Sequence, residues 1–438
     1  MANTYLTRTS GSPTNALKWT YSFWVKTAGA FPEDTFLLDF NTDGNNRSNI
    51  GFFATNGEFQ VYEKVSGSTS QLVRTSRVFR DPNAWYHIVA SCDRTLSTAA
   101  DRTKIYVNGV RETSFASETQ PTQNVTGIIN TAVNTLIGKY SDGSLYFSGS
   151  LSHVHFVDGT AYDASAFGST DSTTGEWKIN TSPSITMGNN GFTILKDGNT
   201  ITDQSANSNN FTLGGGTLTN TEDCPSNVFA TWNALKKLTI TLSNGNTTTL
   251  GNGDNGVWST IGNNSGKWYW ETQQNANSVM MGIIHEDVTQ TTGRSQNAGV
   301  YGLQSGNGSY AYYRNNGSSG NSSGFPEITN SNVLCHALDL DNGKYFLGIN
   351  GVFKNLSGTT SNLGTGADPT FTGLDTTKFW FPFTECRGTG AGCDVNFGNG
   401  YFGTTAISSE GTNASGIGKF EYDVPAGYTA LSTKGLNE

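Results

Sequence analysis

Residues 17–26 (Leu-Lys-Trp-Thr-Tyr-Ser-Phe-Trp-Val-Lys) place Trp19, Tyr21, Phe23 and Val25 at every second position. A period of two belongs to a strand whose sheet is packed on one side. The same signal returns in 333–351, where two apolar, partly alternating runs are joined by Asp341-Asn342-Gly343 and closed by Asn350-Gly351. Asn-Gly supplies the positive backbone angles of a tight hairpin turn, so this stretch predicts strand, turn, strand, turn. A looser copy spans 85–93 and 104–109, ending in Asn108-Gly109. Further strands are predicted at 35–40, 50–54, 58–62, 134–138 and 151–157, then at 191–195, 210–213, 267–272, 279–284, 299–303, 310–314, 379–383, 394–397 and 428–432. No helical segment longer than the single turn at 163–167 is expected. The fold class is therefore all-β, with two antiparallel β-sandwiches in tandem: residues 1–220, a linker at 221–238, and residues 239–438.

Composition sharpens this picture. The 438 residues include 9 Trp, 17 Tyr and 25 Phe, enough aromatic area for two cores although only 35% of residues are hydrophobic. Charged residues make up 14%, below the usual quarter, and Gly, Asn, Ser and Thr fill the gap, as strands joined by many turns require. A net charge of −9 with no basic run argues against nucleic acid as a partner. The five cysteines, Cys92, Cys224, Cys335, Cys386 and Cys393, have no zinc spacing; Cys92 and Cys335 read as buried thiols, and Cys386 with Cys393 is the one pair placed to bridge a loop. The opening Met1 to Arg8 has neither a basic nor an apolar signal region, and no run approaches bilayer length. A chain made in the cytoplasm, without membrane insertion, is expected.

Laid end to end, these segments resemble two families. The first half is similar to the laminin-G-like branch of the concanavalin-A-like lectin/glucanase superfamily, through Tyr21-Ser-Phe-Trp-Val-Lys26, Trp85-Tyr-His-Ile-Val89, Lys104-Ile-Tyr-Val-Asn-Gly109 and Phe147 to Phe156. The second half resembles a SPRY domain, through Gly266-Lys-Trp-Tyr-Trp-Glu271, Ala337 to Gly343, Phe346 to Gly351, Trp380-Phe-Pro-Phe383 and Val395-Asn-Phe-Gly398. Laminin-G-like domains commonly open with an apolar strand and an Asp-rich turn. Here the similar block, Phe192 to Asp197 and Asp203 to Thr212, comes last. The first sandwich therefore resembles a circularly permuted one, in which residues 190–215 close the sheet that Tyr5 opens. The tandem, with the ending Val424 to Lys434, is similar to proteins encoded by tailed bacteriophages. That resemblance implies a virion surface protein: a tail-fibre, spike or head-fibre component that adheres to host cell-surface polysaccharide, contacts other virion proteins and assembles as a homo-oligomer, a trimer by analogy with phage adhesins.

The candidate chemistry is sparse. Glycoside cleavage needs two convergent carboxylates, and the nearest pairs, Glu33/Asp34, Glu286/Asp287 and Asp339/Asp341, are adjacent or belong to turns. No enzymatic activity is expected. His153 and His155 share a strand face but lack a third ligand, so a structural role is favoured. Asp39, Asn41 and Asp43 place oxygens at alternate positions before Gly44, like the opening of a calcium loop, and an Asx-turned hairpin tip explains them equally well. Asp203, Ser205, Asn207 and Asn209 form a second oxygen-rich turn. For carbohydrate, which needs an aromatic face beside amides, the candidates are Trp258 and the group Tyr310, Tyr313, Arg314 and Asn315, although alternation sends most such aromatics to the core. Two other functions stay open: a purely structural decoration or assembly protein, and a glycan depolymerase.

Overall fold

The structure, a computed structural model, describes residues 3–28, 34–54, 56–82, 84–141, 143, 145–196, 200–276, 278–289, 297–305 and 308–437, the side chains of 276 and 437 excepted. Glu33 and Asp197, named above, lie outside the described residues. The chain divides into two compact units, Met1–Asn220 and Thr221–Glu438. Both are all-β, and no helix among the described residues is long and apolar enough to cross a membrane.

Among the described residues the first unit holds sixteen strands: β1 (Tyr5–Thr9), β2 (Lys18–Thr27), β3 (Thr35–Asp43), β4 (Asn46–Phe53), β5 (Glu58–Val65), β6 (Ser68–Val78), β7 (Trp85–Asp93), β8 (Thr103–Val107), β9 (Val110–Arg111), β10 (Phe115–Thr119), β11 (Asn134–Ile137), β12 (Gly149–Asp158), β13 (Gly168–Thr170), β14 (Trp177–Ile179), β15 (Phe192–Ile194) and β16 (Thr212–Gly215). An eight-stranded sheet runs β10-β6-β5-β4-β3-β11-β1-β16, a six-stranded sheet runs β15-β12-β2-β7-β8-β9, and β13 pairs with β14. Trp19, Tyr21, Phe23 and Val25 of β2 meet Phe40, Ile50, Phe52, Phe59 and Val61 of the facing sheet in one core. Residues 190–215 supply an edge strand to each sheet: β15 pairs with β12, Phe192 opposite Phe156, and β16 pairs with β1, Leu213 opposite Leu6.

One-sided burial of β2 does not hold. Thr20, Ser22, Trp24 and Lys26, on its other face, are buried as well. Residues after β12 fold back over the six-stranded sheet, where Thr20 donates through Oγ1 to the Thr160 carbonyl at 2.9 Å. The β13–β14 hairpin brings the Trp177 indole, as a donor, to His87 Nδ1 at 3.0 Å. His87 stacks with both Trp24 and Trp177. Burial, with His153 nearby, holds the His87 pKa down at about 3, so this histidine is a neutral core residue.

In the second unit a seven-stranded sheet runs Trp232–Lys237, Asn255–Ser259, Trp380–Cys386, Val279–His285, Val300–Gln304, Tyr310–Asn315, Ser318–Pro326. It faces a nine-stranded sheet built around Lys267–Ala276, Val333–Asp339 and Lys344–Ile349. Thr429–Ala430 joins that sheet parallel to Lys267–Ala276, an exception to the antiparallel rule. Trp268, Trp270, Leu338, Leu340 and Trp380 share the inter-sheet core. Phe346 is buried on the far face instead, with Tyr269, Phe420 and Tyr428, beneath the C-terminal segment.

Two sequence expectations are corrected here. Residues 221–238 are not a linker: Trp232 is fully buried in the second core, Trp232–Lys237 is a sheet strand, and Phe229 pairs with Ser432. A segment carrying Phe229, Ala230 and Trp232 has too much apolar area to be left in water. The two central turns also differ. Asn108-Gly109 and Asn350-Gly351 have positive φ at both residues, 47° and 82°, 50° and 79°. Around Asn342-Gly343 only the glycine is positive, at 61°. There Asp339 pairs with Lys344 across a four-residue loop, and its carboxylate accepts from the Asn342 backbone and amide.

Candidate functional site

Where β1 meets β16 the first unit carries a groove of about 590 Å³, lined by Thr7, Arg8, Thr9, Gly11, Ser12, Asn189, Asn190, Ser208, Asn209, Asn210 and Thr212. Its walls come from chain segments nearly 200 residues apart, and buried carboxylates hold them in place. Asp158 accepts from the backbones of Thr14 (2.6 Å), Asn15 (3.2 Å) and Asn190 (3.1 Å) and from Asn130 Nδ2 (2.7 Å). Burial pushes its pKa up, but these four donors together outweigh burial and hold it below the ordinary carboxylate value. Asp203 accepts from the backbones of Thr193, Ser205 and Asn209 and from the Ser205 hydroxyl, at 2.8–2.9 Å. Asn209 Nδ2 then donates to the carbonyls of Asn189 and Gly191, each at 2.8 Å.

Arg8 is the charged member of the lining. It donates to Asn209 Oδ1 at 2.5 Å and to Ser10 Oγ at 3.3 Å. Desolvation lowers its pKa, partly offset by the Asp203 carboxylate. Among the described residues these bonds use two of the guanidinium's five N–H donors. The lining is otherwise amide, hydroxyl and backbone, with no carboxylate, histidine or thiol. Such a surface offers hydrogen-bond donors and acceptors of the kind a polyhydroxylated ligand can use.

The residues singled out in the sequence lie elsewhere. Trp258 is 1% exposed, covered by Phe381 and by Lys236, whose Nζ sits 4.0 Å from the ring centre, so no sugar can stack on it. Tyr310 is 48% exposed, but alternation splits its neighbours. Tyr313 packs against the inter-sheet core, while Arg314 is buried on the opposite face, donating to Gln304 Oε1 at 2.8 Å. Desolvation, and then Arg387, lower the Arg314 pKa. Asn315, half-buried, pairs with Tyr301 and Ser318. These residues do not form one site.

The proposed calcium ligands are also divided. Asp39 is buried on β3 and accepts from the Ser141 backbone at 2.8 Å. Asn41 is a half-buried pair of Arg47. Asp43 turns back on its own hairpin, accepting from the backbones of Asn45 (2.7 Å) and Asn46 (3.0 Å), which lower its pKa. That is the Asx-turn alternative. Among the described residues no three His, Cys, Asp or Glu side chains form a metal-binding group. His155 meets Thr193 Oγ1 at 2.9 Å and His153 meets Ser152 Oγ at 2.8 Å. All five cysteines are free thiols, and Cys386 and Cys393 each bond a threonine hydroxyl. Of the carboxylate pairs, Glu286 accepts from the Phe379 backbone and Asp287 pairs with Lys378 at 2.7 Å. Asp339 pairs with Lys267 at 3.2 Å, and Asp341 accepts from the Gly266 backbone.

The sequence pointed to one wall of the groove, the turn from Asp203 to Asn209, as a second oxygen-rich turn beside the calcium-loop candidate and as part of the displaced block, not as a polar groove. It had no signal for Arg8, Thr7, Thr9 or Asn189, because isolated polar residues acquire meaning only when β16 lies beside β1.

Residues 2–166 match the sequence model of a laminin-G-type family described as the Concanavalin A-like lectin/glucanases superfamily. The groove wall formed by Asn189–Thr212, and strands β15 and β16, fall outside that match. Similar solved structures include the TRIM65 PSpry domain, at 16% identity over 38% of this chain and 91% of that one, with a TM-score of 0.29. The SPRY domain of human HERC1 is similar at 14% identity over 37% and 96%, with a TM-score of 0.30. A heptameric SAP-like pentraxin from Limulus polyphemus is similar at 17% identity over 37% and 72%, with a TM-score of 0.27. No curated protein matches the chain.

Proposed function

We propose that this protein is a non-enzymatic, glycan-binding surface protein of a tailed-phage particle, and that its first unit contacts host polysaccharide through the β1/β16 groove. The observation that carries the reading is the groove's lining of amides, hydroxyls and one guanidinium, in a unit that matches the lectin/glucanase superfamily. The virion placement, other virion proteins as partners and a trimeric state rest on the resemblance of the tandem to phage proteins. A shallow polar site near millimolar affinity contributes only about −4 kcal/mol. Many copies on one particle raise avidity by roughly 10²–10⁴ without new contacts, which fits a groove of this kind.

A glycan array probed with the purified chain, alongside Arg8→Gln and Asn189→Ala, is the test. Both residues line the groove, so signals on a defined glycan set should fall at least tenfold with melting temperature unchanged. A blank array together with tight incorporation into particles favours the decoration role. Release of reducing sugar from a bound polysaccharide identifies a depolymerase. Copy number in purified particles and light scattering of the free chain test the placement and the trimer.

A further inference from the structure

We propose a second glycan site, selective for acidic polysaccharide, on the outward face of the eight-stranded sheet. The inward face is set by the core residues Leu38, Phe40, Ile50, Phe52, Phe59, Val61 and Val73. Alternation therefore sends Asp39, Asn41, Arg47, Asn49, Phe53, Gln60, Tyr62, Lys64, Leu72 and Arg74 to the other face. The register aligns them in rows across the strands. One row is Asn41–Arg47–Lys64, the next Asp39–Asn49–Tyr62–Leu72, and a third is Gln60–Arg74–Ser117. Neighbouring strands lie about 4.8 Å apart, so the rows make a continuous strip across β3 to β6.

The charge of this strip opposes that of the whole chain. The chain carries −9, yet the strip presents Arg47, Lys64 and Arg74, and Lys139, just after β11, lies over Tyr5 of β1. Against them stand Asp39, which is buried, and Glu58. Aromatic rings accompany Arg47, Arg74 and Lys139, while Lys64 Nζ donates to the Gly44 carbonyl at 3.3 Å. Arg74 lies 3.5 Å from the Phe53 ring centre, Arg47 donates to the Tyr140 hydroxyl, and Lys139 Nζ lies 4.6 Å over Tyr5.

The hydrogen-bond polarity points the same way. Arg74 donates through Nε and Nη2 to Gln60 Oε1, at 3.1 and 2.9 Å. Gln60 Nε2 donates in turn to Asn49 Oδ1 at 3.0 Å. Gln60 and Asn49 are almost wholly buried, so the relay is rigid. It ends on the Asn49 amide nitrogen, a donor with no acceptor among the described residues. A chain of like-oriented bonds strengthens its terminal donor. A strip of donors, cations and half-buried rings is complementary to a ligand rich in acceptors and negative charge with flat apolar faces: a uronate-type polysaccharide. The few cations and the acidic chain as a whole argue against nucleic acid, whose binding draws on many phosphate contacts.

The proposal shares the glycan-binding reading of the first unit but none of the groove's residues, so the two are separable. Affinity electrophoresis through polygalacturonate, with neutral dextran as control, compares the wild type with Lys64→Gln, Arg74→Gln and Tyr62→Ala on one side and Arg8→Gln on the other. Wild-type migration should be retarded by polygalacturonate only, and less so as salt rises. Each strip variant should weaken retardation about tenfold, equivalent to about 1.4 kcal/mol, while Arg8→Gln leaves it unchanged. Lys64→Gln sits near a hairpin tip and should keep the wild-type melting temperature, so its result stands if another variant misfolds. Equal retardation in dextran, no retardation in polygalacturonate, or loss in Arg8→Gln alone would overturn the strip. So would tighter binding of a single-stranded oligonucleotide with the same variant sensitivity.

Discussion

The Glu63 carboxylate on β5 is fully buried and receives Arg94 Nη2 at 2.9 Å on both oxygens, the backbones of Ile128 and Ile129, and the Ser70 hydroxyl. Arg94 also donates to Gln71 and to the Val125 carbonyl. The pair thus ties the loop before β11 to the eight-stranded sheet. A buried pair contributes little net stability when intact, but removing one partner strands the other charge. Glu63→Gln should cost about 3–5 kcal/mol in urea denaturation, whereas Glu118→Gln, at an exposed position, should stay within about 0.5 kcal/mol. Glu271 is the second unit's counterpart, with no cation partner among the described residues. Burial pushes its pKa up to about 7, against the opposing pull of the donors Glu421 N, Tyr422 N, Tyr269 Oη and Asn396 Nδ2. Between the ordinary value of 4.5 and about 7 the folded state holds a proton that the unfolded chain releases. Its contribution is therefore present in full below 4.5 and is lost as pH rises through about 7, an effect on the order of 3 kcal/mol. Unfolding titrations of the second unit from pH 4.5 to 7.5 should show that decline, and Glu271→Gln should flatten it. The sequence did not mark Glu63, and it named Glu271 only as the end of a SPRY-like motif: a glutamate in an alternating strand looks solvent-facing until its neighbours are known.

At the scale of elements, the displaced block explains both the fold and the groove. β15 and β16 are short, but each closes a sheet edge, and Phe192, Ile194 and Phe211 belong to the first core. Burying one such side chain contributes about 1.5–3 kcal/mol, which is a large part of a typical domain's margin. Deleting residues 190–215 should abolish the cooperative thermal transition of the first unit; a deletion variant that still melts in one sharp step would show that the sandwich closes without them. The Asn-Gly turns behaved unevenly for a local reason. Two-residue turns need positive φ at both positions, which Asn108-Gly109 and Asn350-Gly351 adopt. At Asn342 the Asp339 carboxylate captures the asparagine instead and lengthens the loop. β2 carried its own warning: Trp24 interrupts the polar face, and that face proved to be covered.

For the molecule as a whole, the boundary between units falls at 220/221, not after a linker ending at 238. A fragment spanning 221–438 should fold cooperatively, whereas 239–438, lacking the fully buried Trp232 and the Phe229–Ser432 pairing, should be destabilised by at least about 3–5 kcal/mol in calorimetry or chemical denaturation. Equal stability of the two fragments would return residues 221–238 to linker status. The amino-acid sequence alone determined the all-β class, the two-sandwich organisation and most of the buried aromatics, because a period of two and Asn-Gly turns are local properties that short-range sterics enforce. The resemblance to laminin-G-like domains, rather than any local pattern, implied that residues 190–215 return to the first strands, where β15 and β16 pair. Only the tertiary structure decided which polar residues meet. The groove joins Arg8 to Asn209 and the charged strip joins Arg74, Gln60 and Asn49, pairings set by strand order and register. Alternation assigns a residue to a face but not to a neighbour, and hydrogen bonding between distant side chains leaves no periodic trace in the chain.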